Sequence, residues 1–380
     1  MSAGGRPGAP SARPVGFLPA LGGGLGALAE TGQLPRLVDG YLRPYAAAFG
    51  RVEYFSYRAE SLADFGLDGE LGACVGVHAP ARATPRGARA VRMVGAHPEA
   101  FRACRALRVF QLTGVVPALM ARRRFGTPYA TTYGFWYGAL SRGGPRRLLK
   151  AALERVGLRR AAAVIATTEA LRARAARWAP RVELVPNGVD VSRFAPAAAP
   201  PPAAPPRVLY VGRFSPEKNL ATLVEAVARC RARARLVLVG AGPERESLVA
   251  RARQAGVELE LPGVVDQRAL PAVYAGAHAF VLPSFTEGHP KALLEAQAAA
   301  LPCVVSDCDG NRSLVADGAT GLIFDPRRAD ELAAALDRVL GDAALAAALG
   351  ARARAQTVAR YDLRALVARE IALVREIAGS

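Results

Sequence analysis

Residues 279–309 constrain the fold more than any other part of the chain. Ala279–Leu282 is a short apolar run that ends at a proline, a pattern typical of a buried strand followed by a turn. Residues 290–301 are rich in Ala and Leu and begin with proline, which is well tolerated in the first turn of a helix. Cys303–Ser306 is a second apolar run. The order strand, helix, strand predicts one βαβ unit of a parallel sheet.

Two glutamates lie in this unit, Glu287 in the predicted loop and Glu295 inside the predicted helix. Glu295 has apolar neighbours on both sides, and a buried carboxylate needs a partner. A pair of sugar or ribose hydroxyls is one such partner. The alternative is that Glu295 caps the helix or pairs with an arginine of the same domain. The helix start at Gly288 and His289 offers backbone amides to a phosphate or a polar sugar.

Composition limits the class of protein. The chain has 380 residues, of which 51% are hydrophobic, enough for two domains with separate cores. Its net charge of +18 attracts nucleotides, nucleic acid and anionic lipid alike. The sequence lacks an apolar run of 18 residues and a secretory start, so we expect a cytoplasmic protein. Five cysteines without a C-x-x-C pair indicate reduced thiols rather than disulfides or a zinc site.

The first half of the chain alternates predicted strands and helices. Residues 15–21 form the first predicted strand, and the three glycines at 22–24 permit close approach to a ligand or simply a flexible turn. The hydrophobic pattern predicts further strands and two helices in the same half. The predicted strands are residues 52–57, 107–112, 129–133, 161–167 and 182–186, and the helices are residues 35–49 and 115–125.

Two stretches lack the residues needed for a core. Residues 1–14 are rich in Gly, Pro and Arg and predict a disordered tail. Residues 195–206 are almost wholly Ala and Pro and predict a linker. We therefore expect a first domain over 15–190, a connection over 191–206 and a second domain over 207–358, followed by a C-terminal helical segment over 359–380.

The loop after the first predicted strand of the second domain has the composition of an anion site. Gly212 permits close backbone approach, and Arg213 and Lys218 supply cations before the next predicted helix. The loop lacks the ending of a Walker motif. Solvated surface charge is the alternative interpretation. Asp307 and Asp309 form a D-x-D sequence, but two carboxylates rarely complete a site for a hard cation, so no metal is predicted.

Five ordered motifs of the second half resemble glycosyltransferase family 4, the retaining transferases of the two-domain GT-B fold. The resemblance covers residues 186–326 closely and the first domain only in outline. The motifs are Pro186-Asn187-Gly188-Val189-Asp190, the G-R-x-x-x-x-K-N segment at 212–219, Gly240-Ala241-Gly242-Pro243, the E-x7-E pair Glu287 and Glu295, and Asp317-Gly318-Ala319-Thr320-Gly321-Leu322.

The resemblance implies an α/β protein of two Rossmann-like domains, with parallel sheets facing a central cleft and a last helix packing back on the first domain. It also implies transfer of a sugar from a nucleoside diphosphate sugar to a glycan or lipid-linked acceptor hydroxyl, with retention at the anomeric carbon. No metal or other cofactor is expected. Polysaccharide or glycolipid biosynthesis in the cytoplasm is the expected setting.

The same resemblance assigns roles to residues of this sequence. Arg213 and Lys218 would stabilise the leaving diphosphate, Glu287 would hold hydroxyls of the donor sugar, and Glu295 would hold the ribose. The remaining expected donor-binding residues are Gly23, Gly24, Gly212, Gly263, Val265, Gly288, His289 and Leu294.

Two departures from the family pattern affect the expected site. Where many relatives carry a Thr-x-His segment, this chain has Thr132-Tyr133-Gly134, so we assign no catalytic histidine. Relatives often carry Gly-Gly-x-x-Glu where residues 309–313 read Asp-Gly-Asn-Arg-Ser, so that glutamate is absent as well.

An aromatic and basic segment follows the first departure. Tyr133 and Trp136 could contact the acceptor by stacking on a sugar or touching a lipid, although ordinary packing explains aromatic side chains equally well. The basic residues that follow suit a lipid diphosphate or the anionic inner face of a membrane, or form a solvated surface. They are Arg142, Arg146, Arg147 and Lys150.

Two other functions fit parts of the sequence. A phosphorylase or epimerase of the same fold would also bind phosphate and sugar. A basic nucleic-acid-binding protein would bind RNA or DNA with an affinity that falls steeply with salt. Neither explains the five ordered motifs, so we expect a nucleotide sugar and an acceptor as partners and no nucleic acid. The sequence leaves the donor base, the sugar, the acceptor and the oligomeric state open.

Overall fold

A computed structural model describes residues 13–80, 85–134, 145–197 and 205–379. Contacts divide the chain into two compact units. The first unit holds residues up to Leu28, residues 37–184 and residues 368–380, and the second holds residues 29–36 and 185–367. The sequence had placed residues 29–36 in the first domain, whereas they cluster with the second unit. Most of the expected tail and of the expected linker lies outside the described residues.

Within its described residues, the first unit is built on a seven-stranded parallel sheet with the order β3-β2-β1-β4-β5-β6-β7. Strands β1, β2 and β4 are buried along their whole length, as expected of a parallel sheet covered on both faces. The strands are β1 Val15–Leu18, β2 Val52–Phe55, β3 Val75–His78, β4 Ala106–Val109, β5 Tyr129–Tyr133, β6 Ala163–Ala166 and β7 Val182–Leu184.

The helices that connect these strands follow the predicted pattern. The predicted helix over 115–125 is confirmed, and it ends at Gly126, whose φ of 76° provides a left-handed cap. The predicted helix over 35–49 is interrupted by a π-helical turn, Val38–Leu42. The helices are α1 Leu25–Glu30, α2 Leu34–Leu37, α3 Arg43–Phe49, α4 Asp68–Leu71, α5 Arg86–Ala96, α6 Pro98–Ala103, α7 Val115–Phe125, α8 Pro145–Arg160 and α9 Glu169–Ala175.

Among the described residues, the second unit is built on a six-stranded parallel sheet with the order β10-β9-β8-β11-β12-β13. Its strands are β8 Arg207–Val211, β9 Arg235–Val239, β10 Leu259–Gly263, β11 Ala279–Leu282, β12 Cys303–Ser306 and β13 Leu322–Phe324. The predicted βαβ unit is confirmed, because β11 pairs in parallel with β12 and a helix connects them. Together the two sheets confirm the predicted α/β class with two Rossmann-like domains.

The helices of the second unit end with a long C-terminal run. Helical periodicity of the apolar residues predicts helices over 329–349 and 361–377. The structure instead has a break at Asp342, whose side chain accepts a hydrogen bond from the Leu345 amide at 2.9 Å. The helices are α10 Leu220–Arg229, α11 Arg245–Ala255, α12 Leu270–Ala275, α13 Lys291–Ala298, α14 Asp309–Arg312, α15 Ala329–Gly341, α16 Ala343–Tyr361 and α17 Leu363–Ile377, which continues into the first unit.

The strand order of the second unit determines where a ligand can bind. Strand β8 lies between β9 and β11, so β9 and β10 extend the sheet on one side of β8, and β11, β12 and β13 extend it on the other. Parallel α/β sheets bind ligands at the carboxyl ends of strands at such a switch point. The loop at 212–219 follows β8 and the loop at 283–290 follows β11, so both meet at this edge.

No helix in the described ranges combines the length and the apolar composition that crossing a bilayer requires.

A buried ion pair stabilises the first unit. Arg108 in β4 is 2% exposed, and its Nε and Nη2 donate hydrogen bonds to Glu370 Oε2 at 2.9 and 2.7 Å. The guanidinium also lies 4.8 Å from the centroid of the Phe110 ring. Glu370 belongs to α17, so this contact fixes the C-terminal segment to the sheet of the first unit.

We predict that Glu370→Gln lowers the free energy of unfolding by about 3 kcal/mol or more, because it leaves the Arg108 charge buried without its counter-ion. Urea denaturation followed by circular dichroism measures this change. The matched control is Glu99→Gln, which breaks the exposed ion pair with Arg102 and should cost less than about 1 kcal/mol. Equal losses in the two variants would contradict a structural role for the buried pair.

Candidate active site

The candidate site of the second unit begins with Glu287, in the loop between β11 and α13. Its Oε1 accepts hydrogen bonds from Lys218 Nζ at 2.7 Å and from Ser284 Oγ at 2.6 Å. The structure shows no hydrogen bond to Oε2 from any described residue. The Glu287 backbone lies so close to Gly310 that a Cβ there would come within 2.6 Å of it. The structure therefore brings together Lys218 and Glu287, two residues predicted to be catalytic.

The loop that carries Arg213 and Lys218 is held by its neighbours in the sheet. Tyr210 Oη donates a hydrogen bond to the Arg213 carbonyl at 2.9 Å, and the Phe214 amide donates to the Ala241 carbonyl at 2.9 Å. A Cβ at Gly240 would come within 1.9 Å of the Gly212 carbonyl oxygen, so only glycine fits at that position. The Arg213 side chain itself is exposed, so the loop is fixed while its cation remains open to solvent.

Asn219 closes the same loop and joins three parts of the unit. It adopts a left-handed conformation with φ of 56° and is 7% exposed. Its Nδ2 donates to the carbonyls of Pro283 at 3.1 Å and Pro326 at 2.7 Å, and its Oδ1 accepts from Thr222 Oγ1 at 2.8 Å. Asparagine suits this position because it tolerates positive φ and supplies both donors and an acceptor. Asn219 thereby connects the loop that carries Lys218 to the segment that precedes Glu287.

Glu295 lies in the middle of α13 and is 3% exposed. Its Oε1 accepts a hydrogen bond from Gln267 Nε2 at 2.9 Å, and its Oε2 accepts from Tyr274 Oη at 2.9 Å. Arg36 Nη1 lies 3.9 Å from Oε1. Burial raises the pKa of this carboxyl, and Arg36, Tyr274 and Gln267 oppose that rise. A carboxylate has about four acceptor positions, so these two hydrogen bonds leave about two of them unused.

Arg36 was not predicted as a site residue. Pairing of Glu295 with an arginine of the same domain was predicted only as an alternative to hydroxyl binding, and without naming the arginine. It is 7% exposed, it donates a hydrogen bond to the Gly188 carbonyl, and its charge lowers the pKa of Lys291. The segment before it is attached to the second unit by the Gln267 amide, which donates to the Gly32 carbonyl at 3.0 Å. Sequence alone gave no signal for this contact, because 259 positions separate Arg36 from Glu295.

His289 is buried beside the start of α13. It is 7% exposed, its ring lies 5.4 Å from that of Tyr361, and its carbonyl accepts a hydrogen bond from Asn187 Nδ2 at 2.8 Å. Asn187 belongs to the segment 186–190 that the sequence singled out. Within the described residues, His289 Nδ1 has no hydrogen-bond partner. Burial lowers the pKa of His289 to about 4, so the ring is neutral near pH 7.

The other predicted donor residues of this unit differ in accessibility. Gly288 is partly exposed beside Glu287, and Gly263 has a φ of 80° at the end of β10. The carbonyl of Val265 faces Gly32, where a Cβ would come within 2.5 Å of it. Leu294 is completely buried in the hydrophobic core. Its side chain therefore packs in the core, and its role as a donor-binding residue stays a prediction.

In the first unit, the carboxylate of Glu60 lies beside the glycine loop at residues 22–24. Glu60 accepts hydrogen bonds from the amides of Leu25 at 2.6 Å and Gly26 at 2.8 Å. A Cβ at Gly24 would come within 2.4 Å of Glu60 Oε1, and Gly23 lies in a tight turn in which its amide donates to the Ala20 carbonyl. The glycines admit the Glu60 side chain, whereas the resemblance led us to expect that Gly23 and Gly24 bind the donor.

Tyr133 is completely buried at the end of β5. Its hydroxyl donates a hydrogen bond to Glu154 Oε1 at 2.6 Å and accepts one from Arg174 Nε at 2.9 Å. The side chain that replaces the family's histidine therefore packs within the first unit and is not presented to an acceptor. Trp136, the other predicted acceptor contact, lies outside the described residues.

In the described part of the chain, no cluster of three or more metal-binding side chains is present. Asp307, from the D-x-D sequence, pairs with Arg312 in two contacts, of which the Oδ2 to Nη2 distance is 2.6 Å. Arg312 lowers the pKa of Asp307, because its Nε and Nη2 donate hydrogen bonds to both carboxylate oxygens.

Two family models match adjoining parts of the chain. The model of Glycosyltransferase Family 4 matches residues 45–193, and the model of Glycosyl transferases group 1 matches residues 192–356. The two matches follow one another and together cover well over half of the chain. The chain therefore belongs to glycosyltransferase family 4 and has the GT-B fold.

Particular proteins resemble parts or all of the chain. The glycogen synthase of Mycobacterium tuberculosis is 34% identical over 186 residues, which are 48% of this chain and 45% of that protein. The GDP-mannose-dependent α-(1-6)-phosphatidylinositol monomannoside mannosyltransferase of the same organism is 34% identical over 212 residues, 50% of this chain and 54% of that protein. The chain thus spans about half the length of the curated relatives that it matches.

A solved structure of similar fold is that of Anabaena HepE in complex with UDP. It has a TM-score of 0.75 and 18% identity, and the match covers 96% of this chain and 100% of that one. At this identity the likeness supports the fold.

We predict that stability falls as the pH drops from about 6.5 to about 4, since the unfolded state takes up a proton that buried His289 accepts only near pH 4. His289→Asn should remove up to about 3 kcal/mol of that loss. Thermal unfolding of both proteins across this pH range measures the difference. Identical dependence on pH in the two proteins would show that His289 is not held neutral by burial.

Proposed function

We propose that the protein is a retaining glycosyltransferase that moves a hexose or related sugar from a nucleoside diphosphate sugar to a hydroxyl of a glycan or lipid-linked acceptor. Membership of family 4 supports the class of reaction. The proposal places the donor in the second unit and the reaction in polysaccharide or glycolipid biosynthesis in the cytoplasm.

The observation that carries the proposal is the environment of the two spaced glutamates. Glu287 sits before α13 beside the cation of Lys218, and Glu295 sits within α13 as a buried carboxylate with unused acceptor positions. A nucleoside diphosphate sugar offers matching groups, which are sugar hydroxyls, a diphosphate and a ribose diol. We assign the donor sugar to Glu287, the diphosphate to Arg213 and Lys218, and the ribose to Glu295.

The proposed chemistry is charge stabilisation at the leaving group. When the sugar to phosphate bond breaks, negative charge grows on the diphosphate, and fixed cations at that position lower the barrier. Lys218 is held by Glu287 at 2.7 Å, and Arg213 is held through its backbone. In this proposal the acceptor hydroxyl forms the new bond to the anomeric carbon, and the departing phosphate oxygen takes up its proton, so no nucleophilic side chain is required. Two cations take the place of a metal in this proposal.

The relatives suggest which donors and acceptors to test. One matched relative is named as dependent on GDP-mannose and acts on a phosphatidylinositol mannoside, and another is a glycogen synthase. A neighbouring fold is known with UDP. UDP-glucose and GDP-mannose are therefore the first donors to test, and a maltooligosaccharide and a phosphatidylinositol monomannoside are the first acceptors.

We predict that the purified protein transfers sugar from one of these donors without added metal, and that proton NMR shows the product in the anomeric configuration of the donor. Lys218→Met should lower kcat by about 100-fold or more, because a charge that stabilises the transition state is lost. Arg245→Gln, which changes an exposed arginine of α11, is the control and should leave kcat unchanged.

Three outcomes would overturn parts of the proposal. An inverted product would exclude retention, and full activity of Lys218→Met would exclude its role at the leaving group. Cleavage of a glycan by inorganic phosphate to give a sugar phosphate, with no use of a nucleotide sugar, would favour the phosphorylase alternative.

A further inference from the structure

Helix α8 of the first unit presents an apolar and cationic face to solvent. Leu148 is 73% exposed and Leu149 is 71% exposed, which is unusual for adjacent leucines in a helix. Ala152, which lies four residues after Leu148 and three after Leu149, is exposed as well, and so are Arg155, Val156 and Arg159 further along the helix. We call this set the α8 face, and it consists of Leu148, Leu149, Ala152, Arg155, Val156 and Arg159.

The charge of this face has one sign. Arg155 and Arg159 are exposed, and no carboxylate of the described residues forms an ion pair with either of them. Glu154, the one acidic residue of α8, is 8% exposed and points away into the contacts with Tyr133 and Arg174. The acidic side chain is thus used inside the unit, and the exposed face keeps its cations uncompensated.

An indole extends the α8 face beyond the helix. Trp178 is 38% exposed, and the Arg155 guanidinium lies 4.1 Å from the centroid of its ring. Tryptophan favours the boundary between lipid headgroups and acyl chains, where its apolar ring and polar N–H are both satisfied. Arginine stacked on the ring can contact phosphate at the same depth.

These features distinguish between candidate partners. Nucleic acid would use the arginines but would leave two leucines exposed beside a polar backbone. An interfacial helix on an anionic bilayer buries apolar side chains at the acyl boundary while its cations contact the headgroups. Charge complementarity and the paired leucines together favour the membrane.

We propose that the α8 face binds the protein to the surface of an anionic phospholipid membrane. Leu148 and Leu149 enter the acyl boundary, and Arg155 and Arg159 contact headgroup phosphates. The inference deepens the proposed function, since a surface-bound enzyme meets an acceptor carried on a lipid. It concerns the first unit alone and uses none of the residues assigned to the donor.

Vesicle flotation without any sugar donor tests the proposal. The probes are vesicles of phosphatidylcholine alone and vesicles of phosphatidylcholine mixed with phosphatidylglycerol. We expect binding to the mixed vesicles only. The double variant Leu148→Ser, Leu149→Ser should weaken it by about tenfold or more. The double variant Arg155→Gln, Arg159→Gln should weaken it by about fivefold for each cation removed and reduce its dependence on salt.

Helix α11 of the second unit supplies matched controls. Val249 is 40% exposed, and Arg251 and Arg253 are exposed on the same short helix. Val249→Ser and the pair Arg251→Gln, Arg253→Gln should leave vesicle binding unchanged. If these controls lose as much binding as the α8 variants, binding reflects net charge and the proposal is wrong.

Other outcomes identify a different role for the α8 face. Binding of single-stranded RNA that the arginine variant loses, with no binding to either vesicle, would assign the face to nucleic acid. A dimer that the leucine variant dissociates, again without vesicle binding, would assign it to a second copy of the chain. Nucleotide titration of each variant separates failure of this proposal from failure of the donor site, because the α8 variants should bind nucleotide as the unaltered protein does.

Discussion

The buried carboxylate of Glu295 is the constraint on which the candidate site depends. A charge that is 3% exposed is costly unless it is paired and hydrogen-bonded. The second unit supplies Tyr274 from α12, Gln267 from the loop before it, and Arg36 from a segment far away in sequence. Satisfying this one side chain therefore orders three separate pieces of chain around the start of α13.

The same helix start organises the cationic part of the site. Lys218 reaches Glu287 only because the loop after β8 is fixed by the close approach of Gly240 to Gly212 and by the hydrogen bonds of Asn219. These contacts fix the backbone of the loop, while the Lys218 side chain stays 21% exposed and the Arg213 side chain is exposed. The resulting arrangement suits a ligand with a diphosphate between two polyhydroxyl groups, which is the chemistry of a nucleotide sugar.

The sequence predicted the regular elements well because their hydrophobic patterns are strong. The helix Val115–Phe125 and the strands Ala279–Leu282 and Cys303–Ser306 were predicted with the bounds that the structure has. The break at Asp342 was missed because the apolar period of α15 continues into α16, and only the side-chain cap marks the end. Local patterns of this kind say little about contacts between distant segments.

The site was predicted less completely for that reason. The pairing of Lys218 with Glu287 connects two motifs that the resemblance had already placed together. By contrast, the Glu60 carboxylate at the glycine loop, the burial of Tyr133 and the contact of Arg36 with Glu295 all depend on side chains whose neighbours in space are not their neighbours in sequence. Leu294 belongs to the core because α13 turns that position toward the sheet.

Calorimetric titration of the purified protein with UDP and with GDP, compared between the unaltered chain and Glu295→Gln, tests the central claim most directly. Glu246→Gln, an exposed glutamate of α11, is the matched control, and thermal unfolding of each protein verifies that it is folded. The account predicts that one nucleotide binds, that Glu295→Gln weakens this binding by about tenfold or more, and that the control does not change it. Equal affinity of the unaltered and Glu295→Gln proteins, or no binding of either nucleotide by folded protein, would contradict a donor site built around Glu295.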